Sequence, residues 1–127
     1  MPLVRIDLAK GHPPQHLSRL GDLVYQAMRE TIDVPADDKF QVITEREPHQ
    51  LNIAPSYLGI EHSPGIVLIQ ITLSAGRSVD AKKALYRRIT DDLHAELGIR
   101  KEDVFVNLVE VAREDWSFGN GIAQYVP

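Results

Sequence analysis

The sequence predicts an α+β fold of the α/β-sandwich kind: two tandem β-α-β units that build a four-stranded sheet with two helices on one face. Three observations lead there. The apolar pattern switches from strand-like alternation to helical spacing and back, twice along the chain. A shift of 65 residues lays the front half on the back half without a gap, pairing Leu3 with Leu68, Leu8 with Leu73, Gly11 with Gly76, Leu20 with Leu85, Asp38 with Asp103, Phe40 with Phe105 and Glu45 with Glu110. A β-α-β crossover is right-handed and makes its two strands parallel, which restricts the topology of each unit.

Residues 3–8 (LVRIDL) are apolar and β-branched enough for the first strand. Gly11, Pro13 and Pro14 punctuate it, and proline suits the first turn of a helix. Leu17, Leu20, Val24, Ala27, Met28 and Ile32 then recur at helical spacing, so a helix is expected over about 15–32. Asp33-Val34-Pro35 stops it, because the residue before a proline disfavours helical backbone. A second strand is expected at 39–44, with Phe40 and Val42 on one face. The connector at 47–65 is rich in Pro, Gly, Ser and Asn, with a strand-like stretch near Tyr57-Leu58-Gly59-Ile60.

The second half opens with IVLIQITL at 66–73, continuous enough to suggest a strand buried on both faces. Ser78 is a candidate N-cap with Asp80 in the first turn. Ala81, Leu85, Ile89, Leu93 and Leu97 mark the second helix, and Gly98 ends it. Residues 104–111 (VFVNLVEV) are the fourth strand, and Ser117-Phe118-Gly119-Asn120-Gly121 is a turn between short extended pieces. The chain is thus one domain over 1–127. The first repeat covers about 2–46, the connector 47–65, the second repeat 66–111 and a C-terminal hairpin tail 112–127. Two helices cover one sheet face only. An apolar strand at 66–73 then leaves an open face that calls for a partner, so an oligomer is expected.

Composition narrows the function. The 127 residues are 43% hydrophobic and 25% charged, as in ordinary globular domains. With no Cys, thiol nucleophiles, disulfides and thiolate metal sites are excluded. Asp plus Glu total 18 against 14 Lys plus Arg, a net charge of −4 with no basic block, which argues against nucleic acid as a partner. No apolar run reaches the ~18–20 residues that span a bilayer, and MPLVRIDLAKG lacks the pattern of a signal peptide, so no membrane partner and a cytoplasmic location are expected. Gly119-Asn120-Gly121 lacks the strand-to-helix context of a dinucleotide loop. His12 and His16, four apart, are read as a solvated pair, and no metal site is expected.

The second position offers chemistry. Chains that begin Met-Pro normally lose Met1, because the aminopeptidase accepts small second residues. Pro2 then carries a free secondary amine at the start of a strand. An α-amino group has a reference pKa of about 7.7–8.0. Burial or a nearby cation lowers it and a carboxylate raises it, so such an amine can act as general base or acid near neutrality.

Four stretches carry a family resemblance: PLVRIDL at 2–8, DVPADDKFQVI at 33–43, VLIQITLSAGRS at 67–78 and VEVAREDWSFGNG at 109–121. The chain resembles the tautomerase superfamily of 4-oxalocrotonate tautomerase and macrophage migration inhibitory factor, and within it the malonate semialdehyde decarboxylase-like branch. The last stretch is the most specific, because no secondary structure requires Trp-Ser-Phe-Gly-Asn-Gly.

The resemblance implies a tautomerase-like fold, a cofactor-independent enzyme, a small carboxylate substrate and a homotrimer that covers the open sheet face. Pro2 matches the catalytic proline and Asp38 the aspartate near its amine. Arg77 matches one arginine of an Arg-x-Arg pair that holds the substrate carboxylate, so it is both a catalytic and a substrate-binding candidate. Trp116 and Phe118 match apolar pocket walls. The second arginine has no counterpart, since Ser74-Ala75-Gly76 precede Arg77. Keto–enol tautomerisation of a small 2-oxo or 3-oxo acid is the leading activity. Decarboxylation of malonate semialdehyde, or a hydratase or dehalogenase activity with a cationic Pro2, is the alternative. A retained Met1 would make the Pro2 nitrogen an amide and favour a non-catalytic trimeric binding protein.

Overall fold

The computed structural model describes residues 2–127; Met1, and with it the expected processing of that residue, lies outside them. β1 (Pro2–Ala9), α1 (Pro14–Ile32) and β2 (Gln41–Arg46) form the first unit. A 3-10 turn at Pro48–Gln50 and a hairpin of β3 (Ser56–Tyr57) and β4 (Ile60–Glu61) occupy the connector. β5 (Val67–Ser74), α2 (Val79–Leu97) and β6 (Val104–Val111) form the second unit, followed by a 3-10 turn at Arg113–Asp115. The bounds of β5, α2 and the last 3-10 turn each lie 65 positions after those of β1, α1 and the first 3-10 turn.

The four-stranded sheet has the order β2-β1-β5-β6. The parallel registers of the two units match: Val4 lies opposite Gln41 and Ile69 opposite Val106. Antiparallel pairing of β1 with β5 joins the units, with Pro2 opposite Leu73 and Ile6 opposite Ile69. The fold is therefore a mixed four-stranded sheet with both helices packed on one face, as the sequence predicts.

Local chemistry explains the helix ends. Pro13 and Pro14 open α1, and Asp33 closes it in the left-handed region at φ 57°, its N–H bonding the Met28 carbonyl. Ser78 caps α2 by accepting the Ala81 N–H at 3.1 Å, and Gly98 closes it at φ 67°. The core lies between helices and sheet. Val4, Ile6 and Leu8 of β1 and Val67, Ile69, Ile71 and Leu73 of β5 meet Leu20, Val24, Met28, Leu85, Ile89 and Leu93.

Four expectations need adjustment. β2 starts at Gln41 rather than Lys39, because the preceding turn still holds Asp38, whose N–H bonds the Pro35 carbonyl at 3.3 Å. β5 is buried on one face only, its alternate residues Leu68, Gln70 and Thr72 being partly or fully exposed, because both helices lie on the other side. The open face is also mixed rather than apolar. Val42, Arg5, Gln70 and Asn107 form its middle cross-strand row, and the exposed Phe105 and Val109 lie along the β6 edge. The tail contains no strand among the described residues. Three successive positive-φ residues, Gly119, Asn120 and Gly121, make the turn, and Gln124 closes it by accepting the Phe118 N–H and donating to the Gly119 carbonyl.

Gly21 is buried on the face of α1 that meets β2. Its carbonyl accepts the Gln41 side-chain N–H at 2.8 Å, and a Cβ there would meet the Gln41 side chain and, at 3.2 Å, Ile43 Cδ1. Gly21→Val is expected to destabilise the fold by about 1–3 kcal/mol through overpacking, read as a lowered urea midpoint with an unchanged slope.

Candidate active site at one end of the sheet

The sheet register gathers the candidate residues. Pro2 is buried at the first position of a central strand, the place within a sheet where a missing N–H is tolerated. Leu73 lies opposite it, so Ser74-Ala75-Gly76-Arg77 leaves the sheet at the same end. The Val4 N–H bonds the Phe40 carbonyl at 3.0 Å, which brings the Asp38–Phe40 segment there as well. Ser74 pairs with Val111, and the Ala75 N–H bonds the Val111 carbonyl at 2.9 Å, which sets the start of the tail with Trp116 and Phe118. Pro2, Asp38, Arg77, Trp116 and Phe118 thus all come from segments at one end of the sheet.

Their surroundings are specific. Arg77 is partly buried, and its Nε donates to the Ile32 carbonyl at 3.3 Å while Nη1 donates to the Ser74 carbonyl at 3.0 Å. Ile32 is the last residue of α1, so the guanidinium rests against the negative end of that helix. Trp116 Nε1–H donates to Ser74 Oγ at 3.1 Å, and the Phe118 ring stacks on the indole with centroids 5.6 Å apart. Asp38 is partly buried, and its backbone N–H also reaches the Tyr25 hydroxyl at 3.3 Å. That hydroxyl donates to the Pro35 carbonyl, tying α1 to the turn that carries Asp38.

Sequence reasoning missed three supporting residues: Ser74, Tyr25 and Glu110. Glu110 lies in the cross-strand row of Pro2 and Leu73, at the sheet edge. The Lys82 ammonium, hydrogen-bonded at 2.5 Å, holds its carboxyl below the usual range, aided by the Gly76 N–H and the Arg77 charge. Its repeat mate Glu45 accepts the Gly11 and His12 N–H groups at 2.9 and 3.1 Å. The recurrence of Glu at both positions was visible in the sequence; its task of holding the glycine turn was not. Gly76 has φ 126°, a conformation that favours glycine.

The other polar groups lie elsewhere. Asp103, the repeat mate of Asp38, is buried and accepts Ser63 N–H and Oγ–H at 2.8 and 2.5 Å. It therefore pins the connector, as a loop-capping aspartate would. The His12 and His16 rings stack at 4.5 Å, and burial, followed by the His12 charge, pushes the His16 pKa down against a smaller upward pull from Glu45. Among the described residues no group of three His, Asp or Glu is placed to hold a metal ion, and no helix is long and apolar enough to cross a membrane.

Two β-α-β units joined into a mixed four-stranded sheet with both helices on one face give the 4-OT class of fold. The wild-type fused 4-OT symmetric trimer shares that fold, with a TM-score of 0.78 at 24% identity over 94% of each chain. Residues 37–119 match the family Tautomerase_2 and residues 2–60 the family Tautomerase, both described as tautomerase enzyme. The probable tautomerase YusQ of Bacillus subtilis (strain 168) is 45% identical, over 99% of both chains. YrdN, another probable tautomerase of that organism, is 34% identical over 99% of this chain and 97% of its own. FG41 malonate semialdehyde decarboxylase, inhibited by 3-bromopropiolate, superposes with a TM-score of 0.89 at 37% identity, covering 98% of this chain and 94% of its own. The chain belongs to the tautomerase superfamily of enzymes.

The Glu110 bridge sets a pH dependence. A carboxylate with a folded pKa below its ordinary 4.5 stabilises the fold above that value, and the contribution is lost as pH falls through the folded pKa. Glu110→Gln is therefore expected to flatten the acid limb of stability. Urea unfolding of both proteins between about pH 3 and pH 7 checks this; parallel limbs would refute it.

Proposed function

We propose that the protein is a cofactor-independent tautomerase that acts on a small 2-oxo or 3-oxo carboxylic acid through the amine of Pro2, exposed when Met1 is removed. The observation that carries this reading is the placement of Pro2 on the central strand, at the end of the sheet where Asp38, Arg77, Trp116 and Phe118 also lie. Arg77 offers the substrate carboxylate a planar set of donors. Two of its donors are fixed by backbone carbonyls, and Nη2 has no hydrogen-bond partner among the described residues. The stacked Trp116 and Phe118 form an apolar wall.

In this mechanism the neutral Pro2 amine takes a proton from the carbon α to the carbonyl. The C–H electron pair becomes a C=C bond and the carbonyl π pair moves onto oxygen. The proton on Pro2 then passes to that oxygen, completing the enol; the reverse sequence restores the ketone. Apolar walls and Arg77 favour the neutral amine, and Asp38 favours the cation.

The likeness to malonate semialdehyde decarboxylases favours a second reading. The bond to the carboxylate breaks as carbon dioxide leaves, its electron pair becomes the C=C bond, the carbonyl π pair moves onto oxygen, and the cationic Pro2 gives its proton to that oxygen to complete the enol. That likeness does not supply the second arginine, which has no counterpart here, since Ser74-Ala75-Gly76 precede Arg77. Both readings place the enzyme in a homotrimer. Phe40, Val42, Phe105 and Val109 at the sheet edges are exposed, as are Tyr57, Leu58 and Ile60 on the β3–β4 hairpin, Leu58 at 85%. Such side chains are covered at low cost by copies of the same chain.

Intact mass is expected to show loss of Met1, and assays with phenylenolpyruvate and malonate semialdehyde are expected to show turnover of the first. Pro2→Ala is expected to lower kcat/KM by about 10²-fold or more. Processed protein that turns over neither compound refutes the enzymatic reading, and turnover of the second alone selects the decarboxylase. Sedimentation at micromolar concentration is expected to give the mass of three chains, and a monomer would refute the reading of the exposed edges.

A further inference from the structure

The repeat supplies an internal control for which side chains the fold itself requires. The same strand end, glycine turn and 3-10 turn are built twice, 65 positions apart. At the candidate active site they carry Ser74, Arg77 and Trp116, joined by hydrogen bonds of 3.0 and 3.1 Å. At the opposite end of the sheet the corresponding residues are Ala9, His12 and Leu51. That end reaches the same backbone with a methyl group, an imidazole and an isobutyl group, so the Ser74–indole hydrogen bond does not serve the fold.

We infer that Ser74 is a positioning residue, whose side-chain oxygen orients Trp116 and whose carbonyl oxygen orients Arg77, so that one residue sets the spacing between the apolar wall and the carboxylate anchor. This rests on the function proposed above. Ser74 ends β5 and is held in register by Val111, one step beyond the pair of Leu73 with Pro2. Its two oxygens are thus placed by the strand that also places Pro2. The indole N–H prefers a partner when it is partly buried, and Ser74 Oγ is the acceptor that fixes its ring plane. Phe118 stacks on that plane and Tyr125 meets Phe118 edge-on at 5.1 Å, so the orientation spreads through the tail.

The test uses Ser74→Ala, Ser74→Thr, Trp116→Phe and the Ser74→Ala/Trp116→Phe double variant, with steady-state kinetics and fluorescence. Trp116 is the sole tryptophan, so the indole emission, excited selectively beyond the tyrosine band, belongs to it alone. Ser74→Ala is expected to shift that emission and to raise KM about three- to tenfold with kcat little changed, the size of one net hydrogen bond. Ser74→Thr is expected to restore both. Trp116→Phe removes the donor and keeps a ring, so the double variant is expected to match its weaker single parent. Multiplicative effects in the double variant, or an emission and KM unchanged in Ser74→Ala, overturn the role of Ser74. Because Ala9 occupies the repeated position, Ser74→Ala is expected to fold, and its urea midpoint checks that. Absence of turnover in the unsubstituted protein overturns the proposed function instead, and the emission comparison then decides the role of Ser74 by itself.

Discussion

The antiparallel pairing of β1 with β5 is the constraint on which the rest depends. Each β-α-β unit alone has a sheet edge and an apolar face too small to bury. Joined at β1 and β5, the two become one sheet with a continuous core beneath both helices. The register is strict because a slip of one residue would turn Val67, Ile69, Ile71 and Leu73 away from the helices. The same register sets Pro2 against Leu73. The interaction that holds the halves together therefore also decides which loop of one half meets the first residue of the other.

That arrangement makes the two ends of the sheet equivalent in backbone and different in chemistry. At one end lie Pro2, Ser74, Arg77 and Trp116; at the other, Val67, Ala9, His12 and Leu51 take their places. Asp38 stays partly buried, whereas Asp103 is drawn inward to anchor Ser63. Shared features, such as the positive-φ glycines and the glutamates on their turns, belong to the architecture. Features on which the ends differ distinguish the candidate site.

Much of this was legible in the sequence, and the physical reason is period. The helices and the β1 and β6 strands stand out because one-sided burial imprints 3.6- and 2-residue spacing on the chain. The ends at Ser78 and Gly98 were readable because caps need particular side chains. The β5 run reads as doubly buried for a related reason: Leu68 and Thr72 fill a face that no helix covers, and that face is partly exposed. The candidate site residues Pro2, Asp38, Arg77, Trp116 and Phe118 came from the short stretches that carry the family resemblance. Ser74 and Tyr25 escaped because their importance lies in contacts across 42 and 13 residues, which no local pattern encodes.

Arg77 shows how the fold resolves a local conflict. Read along the chain, a cation beside the Ser78 N-cap faces the positive end of α2, an unfavourable place. In three dimensions α1 ends beside it, and the Ile32 carbonyl at its negative terminus accepts Nε–H. The Ser74 carbonyl takes Nη1–H, and Glu110 adds a negative charge behind the turn. The charge is thus offset from three directions without a carboxylate bonded to the guanidinium among the described residues. A bidentate salt bridge would engage the guanidinium on both sides; the backbone carbonyls orient it through Nε and Nη1 and leave Nη2 without a hydrogen-bond partner among the described residues.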